Sequence, residues 1–220
     1  EDRTLSFLPW AHSFGQTVEL HTIISQGAST AFAESVSAIM DNLPEVQPTM
    51  LVSVPRVFNG IYDGLNKKME KEGGITKVMF DAAISNAARK RELAAQGKSS
   101  KFVDVKHSVL DSLVFAKVRA AFGGHLKYAI SGGAAISEDV ANFIDSLGVT
   151  VYEGYGLSET SPIVTANYPG TRKIGTVGKP IPGVRVEIDR KGREDEDGDD
   201  GEIVVYGHNV MQGYYNLPEE

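Results

Sequence analysis

Short apolar runs alternate with longer stretches of helical spacing from Thr4 to Tyr152, and no other feature narrows the fold so far. Thr4 to Leu8 reads as a strand stopped by Pro9, and Gly15 to Ser25 as a helix. Ser29 to Phe32 is a second extended piece, followed by a helix from Ala33 to Asn42. Met50 to Val54 has the apolar run of a buried strand and leads into helical spacing from Val57 to Glu72. Between Ile75 and Gly97, the side chains of Val78, Phe80, Ile84, Ala87 and Ala88 share one face of an amphipathic helix. Val109 to Phe122 reads as another helix, closed by Gly123 and Gly124. Leu126 to Ile130 is then a strand, Ser137 caps a helix to Leu147, and Val149 to Tyr152 is the next strand. Strands separated by helices pair in parallel, which gathers their loops at the carboxyl ends.

After Pro162 the pattern changes to short, glycine-punctuated strands, among them Val184 to Ile188 and Glu202 to Tyr206. The expected organisation is therefore an α/β part over residues 1–162 and a smaller, mostly antiparallel β unit over residues 163–220. The acidic tip from Glu194 to Asp200 reads as a solvated hairpin loop, since its spacing does not match an EF-hand.

At 220 residues and 41% hydrophobic composition, the chain can bury a sizeable core. Lys and Arg number 22 against 29 Asp and Glu, so the net charge of −7 argues against nucleic acid or an anionic membrane surface as the main partner. The absence of cysteine excludes a disulfide framework, a Cys nucleophile and thiolate metal sites. It fits a reducing compartment, and cytoplasm is the expected location. No apolar run reaches the roughly 18 residues of a membrane span, and the first residues lack the basic start of a signal peptide.

Two glycine-bearing stretches follow adjacent strands: Ser131-Gly132-Gly133-Ala134-Ala135 and Glu153-Gly154-Tyr155-Gly156-Leu157-Ser158-Glu159-Thr160. Glycine lets a backbone approach a flat or anionic ligand and point its N–H groups at it, so both read as loops walling a nucleotide pocket. Ser158 can donate to a phosphoryl oxygen, Glu159 can hold Mg²⁺ as a hard oxygen ligand, and Tyr155 can cover a base or ribose. The same run also reads as a tight turn with Ser158 capping a helix. It is not a dinucleotide fingerprint, because Glu159 stands where the third glycine belongs. Gly175-Thr-Val-Gly178-Lys179-Pro180 is not a Walker loop, because its spacing is short and proline replaces the magnesium-binding hydroxyl.

The Ser-Gly-Gly-Ala loop, Glu-Gly-Tyr-Gly-Leu-Ser-Glu-Thr, Gly175 to Gly183, and Gly201-Glu-Ile-Val-Val-Tyr-Gly with Val-Met-Gln-Gly-Tyr-Tyr resemble, in order and spacing, the AMP-binding, adenylate-forming enzyme superfamily. Leu8-Pro-Trp-Ala-His12-Ser-Phe-Gly15 is similar to the motif whose His lies beside the acyl carboxylate, so the resemblance covers essentially the whole chain. Val54 to Tyr62, the long helical stretch to Leu113-Val-Phe-Ala-Lys-Val-Arg, and Gly123 to Tyr128 resemble the long-chain fatty acyl-CoA synthetases in particular.

The resemblance implies the fold of the large N-terminal domain of an adenylate-forming enzyme, and activation of a fatty acid with MgATP to acyl-AMP before transfer to coenzyme A. It puts Gly132, Gly133 and Ala134 along the adenine or acyl-adenylate, and Glu153, Gly154, Tyr155 and Gly156 along the nucleotide with Thr160. Ser158 falls against the phosphate, Glu159 on the Mg²⁺ ligand and His12 on the acyl-site His. His21, His107, His125 and His208 form no ligand-spaced cluster and are assigned nothing. The family's phosphate loop is expected before Glu1, its ribose-binding Asp and C-terminal domain after Glu220, and the isolated chain is expected to be inactive. Peripheral membrane association of the parent is compatible with the resemblance. Alternatives left open are another carboxylic acid, a carrier protein as acceptor, and a non-catalytic nucleotide-binding module.

Overall fold

The computed structural model describes residues 2–191 and 198–217. Seven strands form one sheet: β1 (Arg3–Ser6), β2 (Ser29–Phe32), β3 (Met50–Ser53), β4 (Tyr128–Ser131), β5 (Thr150–Gly156), β6 (Ile163–Ala166) and β7 (Lys179–Pro180). Their order across the sheet is β2-β1-β3-β4-β5-β6-β7, parallel from β2 to β5 and antiparallel from β5 to β7. A separate antiparallel pair follows, β8 (Val184–Asp189) with β9 (Glu202–Gly207). The α/β expectation thus holds, and antiparallel pairing starts at β6, beside the anticipated boundary at residues 162–163. There it adds to the edge of the large sheet, and only β8 and β9 stand apart. Residues 194–197 of the acidic tip lie outside the described residues.

Between β1 and β2 the chain winds through a π-helical segment, Gly15–His21, into α1 (Thr22–Gln26). The other helices are α2 (Ile39–Val46), α3 (Pro55–Glu72), α4 (Gly74–Ala95), α5 (Lys101–Leu110), α6 (Ala116–Ala121) and α7 (Glu138–Ser146). Leu5, Leu51, Ala129 and Val151 turn one face of the sheet toward Leu43 of α2, Phe58 of α3, Phe80 of α4 and Phe143 of α7. Burying each large side chain here contributes about 1.5–3 kcal/mol. Phe143 sits at the centre, with the ring of Tyr62 edge-on at 5.0 Å and that of Phe80 at 6.2 Å. Among the described residues no helix is long and apolar enough to cross a membrane.

Several element boundaries differ from expectation. The helix expected over Val109 to Phe122 is three pieces, α5, a π-helical segment at Asp111–Phe115, and α6. Arg119 of α6 grips the Asp111 carboxylate through both terminal nitrogens at 2.7 Å, spanning the widened turn. The helix expected from Ala33 starts later, in a short turn at Val36–Ala38 that Ser35 caps, because Ser35 Oγ accepts from the Ala38 N–H. Val78 points to solvent, whereas Ala83 and Asn86 join Phe80 and Ala87 inside. Ser137 caps α7 as its sequence position predicts, accepting from the Val140 N–H at 3.3 Å.

Candidate active site

The largest difference from the sequence reading falls at the site. Residues 153–156, read as a loop, are the second half of β5. Gly154 and Tyr155 pair with Ala166 and Thr165 of β6, so the run is held as a strand by a partner its own composition does not announce. Glycine is required at the end of that strand, since a Cβ on Gly156 would collide with the Pro162 carbonyl. The following residues make a single 3-10 turn, Ser158–Thr160. Thr160 closes it from within: its buried Oγ1 accepts from the Leu157 N–H at 3.0 Å and lies 2.9 Å from the Pro162 carbonyl. Ser158 is left exposed.

A cavity of about 530 Å³ opens where these elements meet. Its polar end lies at the carboxyl ends of the strands and is lined by His12 and Ser13 after β1, Gly132 and Gly133 after β4, and Ser158 after β5. From there it extends along the open sheet face over Ile130, Tyr128 and Tyr152, beneath Val18 and Thr22 of the helical segment after β1. Glu153, Gly154, Tyr155 and Gly156 also line it, whereas Ala134, Glu159 and Thr160 do not. Ala134 is exposed beside the Gly132-Gly133 turn.

The segment carrying His12 folds tightly over the β4 loop. The His12 N–H donates to the Pro9 carbonyl, and His12 Nδ1 accepts from the Phe14 N–H at 3.2 Å, which places the proton of a neutral ring on Nε2. The Phe14 ring occupies the space a Cβ at Gly132 would need, with its edge carbon 2.9 Å from that position. Ser13 Oγ and Ser158 Oγ lie 3.4 Å apart, so the β1 and β5 ends meet at hydroxyls.

The two carboxylates of the β5 run differ sharply. Glu153 is buried, accepts the Ile136 N–H at 3.1 Å and so pins the start of α7 to β5; burial pushes its pKa up. Glu159 sits partly exposed, and its pKa is held below the usual range because Tyr214 donates to Oε1 at 2.7 Å, aided by its own backbone N–H. The Met211 N–H donates to the Glu159 carbonyl at 2.8 Å, so the end of the chain is latched to this turn twice. Among the described residues no group of three or more His, Cys, Asp or Glu could hold a metal unaided. Glu159 is a single carboxylate, so any ion held there would need its other ligands from phosphate oxygens and water.

Sequence reasoning missed Ser13, Phe14, Tyr128, Tyr152, Asn167 and Tyr214. Asn167 is buried and ties the site together: Nδ2 donates to the carbonyls of Glu153 and Thr176, and Oδ1 accepts from the Lys173 N–H. The strand alternation of Tyr128, Ile130 and of Tyr152, Gly154 was the available signal, since aromatic residues at the start of strands leading into glycine loops share the face that the loops overhang.

The family model for the AMP-binding enzyme matches residues 1–215. The chain is 36% identical over 97% of its length to "Long-chain-fatty-acid--CoA ligase FadD15" of Mycobacterium bovis, covering 34% of that protein. It is 30% identical over its whole length to "Long chain acyl-CoA synthetase 7, peroxisomal" of Arabidopsis thaliana, covering 31% of it. The chain thus spans about a third of the length of these relatives. In fold it is similar to a benzoate CoA ligase from Burkholderia xenovorans LB400, with a TM-score of 0.63 at 22% identity, covering all of this chain and 35% of that one. With the family model matched over nearly all of its length, this chain belongs to the AMP-binding enzyme family.

Proposed function

We propose that the chain is the nucleotide- and acyl-binding part of a long-chain fatty acid–CoA ligase. The observation that carries this reading is one cavity with a hydroxyl- and imidazole-lined end at the strand termini and an apolar, aromatic stretch along the sheet. That polarity gradient matches a molecule with a charged head and a long hydrocarbon tail. The 36% identity to a long-chain-fatty-acid CoA ligase supports the same assignment.

In this reading the fatty carboxylate lies at His12, whose Nε2–H donates to it, and the tail follows Ile130, Tyr152 and Tyr128. A carboxylate oxygen attacks the α-phosphorus of ATP as the bond to pyrophosphate breaks, giving acyl-AMP. The thiolate of coenzyme A then attacks the acyl carbonyl and AMP leaves. Ser158 and nearby backbone N–H groups donate to the phosphate oxygens as charge builds there. Gly132 and Gly133 make the wall along the adenine, with Ala134 at its exposed rim, opposite Gly154, Tyr155 and Gly156. Glu153 acts from behind that wall by holding the β4–α7 loop, and Thr160 by holding the turn that presents Ser158. Glu159 would hold Mg²⁺, which draws charge off the phosphates when bound. The cysteine-free composition supports the cytoplasm as the compartment, with peripheral contact to membranes as a source of the acid.

Calorimetry with a non-hydrolysable long-chain acyl-AMP mimic tests the reading on a full-length protein carrying this chain. Affinity that rises with acyl length and exceeds that for an aromatic acyl-AMP mimic is the expected result. Preference for the aromatic mimic overturns the substrate class, and failure to bind any mimic overturns adenylate formation. Pyrophosphate release should fall by about two orders of magnitude in Glu159→Ala, the scale of losing a group that stabilises transition-state charge; an unchanged rate removes Glu159 from the role.

A further inference from the structure

Glu19 is an ionisable residue with no accessible surface, placed in the π-helical segment that lies against the sheet. Burying a carboxyl group costs free energy unless it is well satisfied. Here the satisfaction is partial: Oε2 accepts from Ser6 Oγ at 2.6 Å and from Trp10 Nε1 at 3.2 Å, while Oε1 makes no hydrogen bond. The Thr4 hydroxyl is near enough to act on the same carboxyl, yet its oxygen forms no hydrogen bond of normal geometry. Packing alone would favour an apolar residue at this position, and what the carboxyl adds is the link between its two donors.

Those donors belong to different parts of the site. Ser6 is the last residue of β1, which lies between the edge strand β2 and β3. Trp10 belongs to the segment 7–14, which ends with His12, Ser13 and Phe14 at the cavity. The π-helical winding, with hydrogen bonds from i to i+5, stacks residue 19 beneath residue 14, where it can reach back to that segment. Gly15 closes the contact from above, since a Cβ there would lie 2.7 Å from the Pro9 carbonyl oxygen.

We propose that Glu19 is a positioning residue for the acyl end of the site, a polar anchor that fixes the His12 segment to strand β1 through Trp10. It touches no substrate; it sets where His12 and Ser13 stand relative to Ser158. The inference rests on the fatty acyl reading for its functional consequence, but the anchor itself can be tested without it.

Trp10 is the single tryptophan of the chain, so its emission reports the segment directly. In the 220-residue chain, Glu19→Leu keeps the volume and removes the acceptor, and should move Trp10 emission while leaving far-ultraviolet circular dichroism unchanged. Glu19→Gln keeps an acceptor oxygen and should return emission to the original position. In a full-length protein carrying the chain, Glu19→Leu and Trp10→Phe should each raise KM for the fatty acid about tenfold, a modest share of what a small misplacement of reacting groups costs. KM for ATP should stay unchanged and Glu19→Gln should behave as the original. If Glu19→Leu fails to fold, Trp10→Phe decides alone, because it removes the donor without touching the buried carboxyl. A fatty acid KM that stays put in Trp10→Phe overturns the positioning role. Unmoved Trp10 emission in a folded Glu19→Leu chain overturns the anchor. Absence of turnover with any fatty acid in the unsubstituted protein defeats the fatty acyl reading instead, and leaves the emission result to judge the anchor.

Discussion

The two faces of the large sheet are covered in different ways. On one, α2, α3, α4 and α7 press Leu43, Phe58, Phe80 and Phe143 onto Leu5, Leu51, Ala129 and Val151 in one apolar cluster. On the other, the short segment Gly15–His21 with α1 covers part of the sheet, a buried carboxyl sits under it, and the rest is cavity. The closed face carries most of the hydrophobic stabilisation, and the open face gives part of it up in exchange for chemistry. Substitutions on the first face should therefore move stability without moving ligand affinity per folded molecule, and substitutions on the second should also lower that affinity.

The largest effect tests the closed face. Phe143→Ala should cost about 3–5 kcal/mol, the range for removing a large aromatic side chain from a packed core. Denaturant unfolding measures it, and a loss below 1 kcal/mol would mean that the closed face does not dominate. Next comes the open face, where Gly132→Ala drives a methyl group into the Phe14 ring. Overpacking of this kind costs about 1–3 kcal/mol, and the ring's shift should weaken acyl-AMP mimic binding by more than the stability loss accounts for. Equal binding by the folded variant would break the distinction between the faces.

Glu153→Gln sharpens the comparison through pH. Burial raises the folded-state pKa of Glu153 above its unfolded value, so its favourable contribution is fully present below the unfolded value. That contribution is lost as pH climbs through the raised folded value. Unfolding measured from acid to neutral pH should show the original chain losing ground relative to Glu153→Gln over this window, because glutamine can still accept from the Ile136 N–H without ionising. A difference independent of pH would show that Glu153 does not titrate there. The smallest effect belongs to neither face: Lys77→Ala removes an exposed i,i+4 pair with Asp81 and should shift the unfolding midpoint only slightly, less than any of the preceding variants. A midpoint shift as large as that of Phe143→Ala would mean that exposed charges carry weight here that only the core should carry.

The closed face was largely legible in the sequence, because its strands are apolar runs bounded by proline and glycine and its helices repeat at helical spacing. Ser29 to Phe32 was placed to the residue, and Ser137 as a cap. The open face was legible in its residue types but less so in its geometry. Glu153-Gly-Tyr-Gly has the composition of a loop, and it is pairing of Glu153 with β4 and of Gly154 to Gly156 with β6, some ten residues on, that makes it a strand. Thr160 carries the hydroxyl expected of a ligand contact, yet the turn uses that hydroxyl itself. Glu19 left no signal, since a glutamate among polar helix residues reads as exposed; its burial depends on the widened turn. Tyr214 stands in a motif that the sequence shows, but its contact with Glu159 does not follow from it, because the two lie 55 residues apart.

Strand β5 hands its hydrogen bonds from one neighbour to the other along its length: residues 150–153 pair with β4, and residues 154–156 with β6. The glycines that face the cavity are thus already ordered before anything binds. Freezing a free loop residue costs about 1–2 kcal/mol of backbone entropy, and a ligand arriving at this strand is spared that cost at Gly154, Tyr155 and Gly156. Its binding isotherm should carry little of the entropic penalty and heat-capacity change that mark coupled folding.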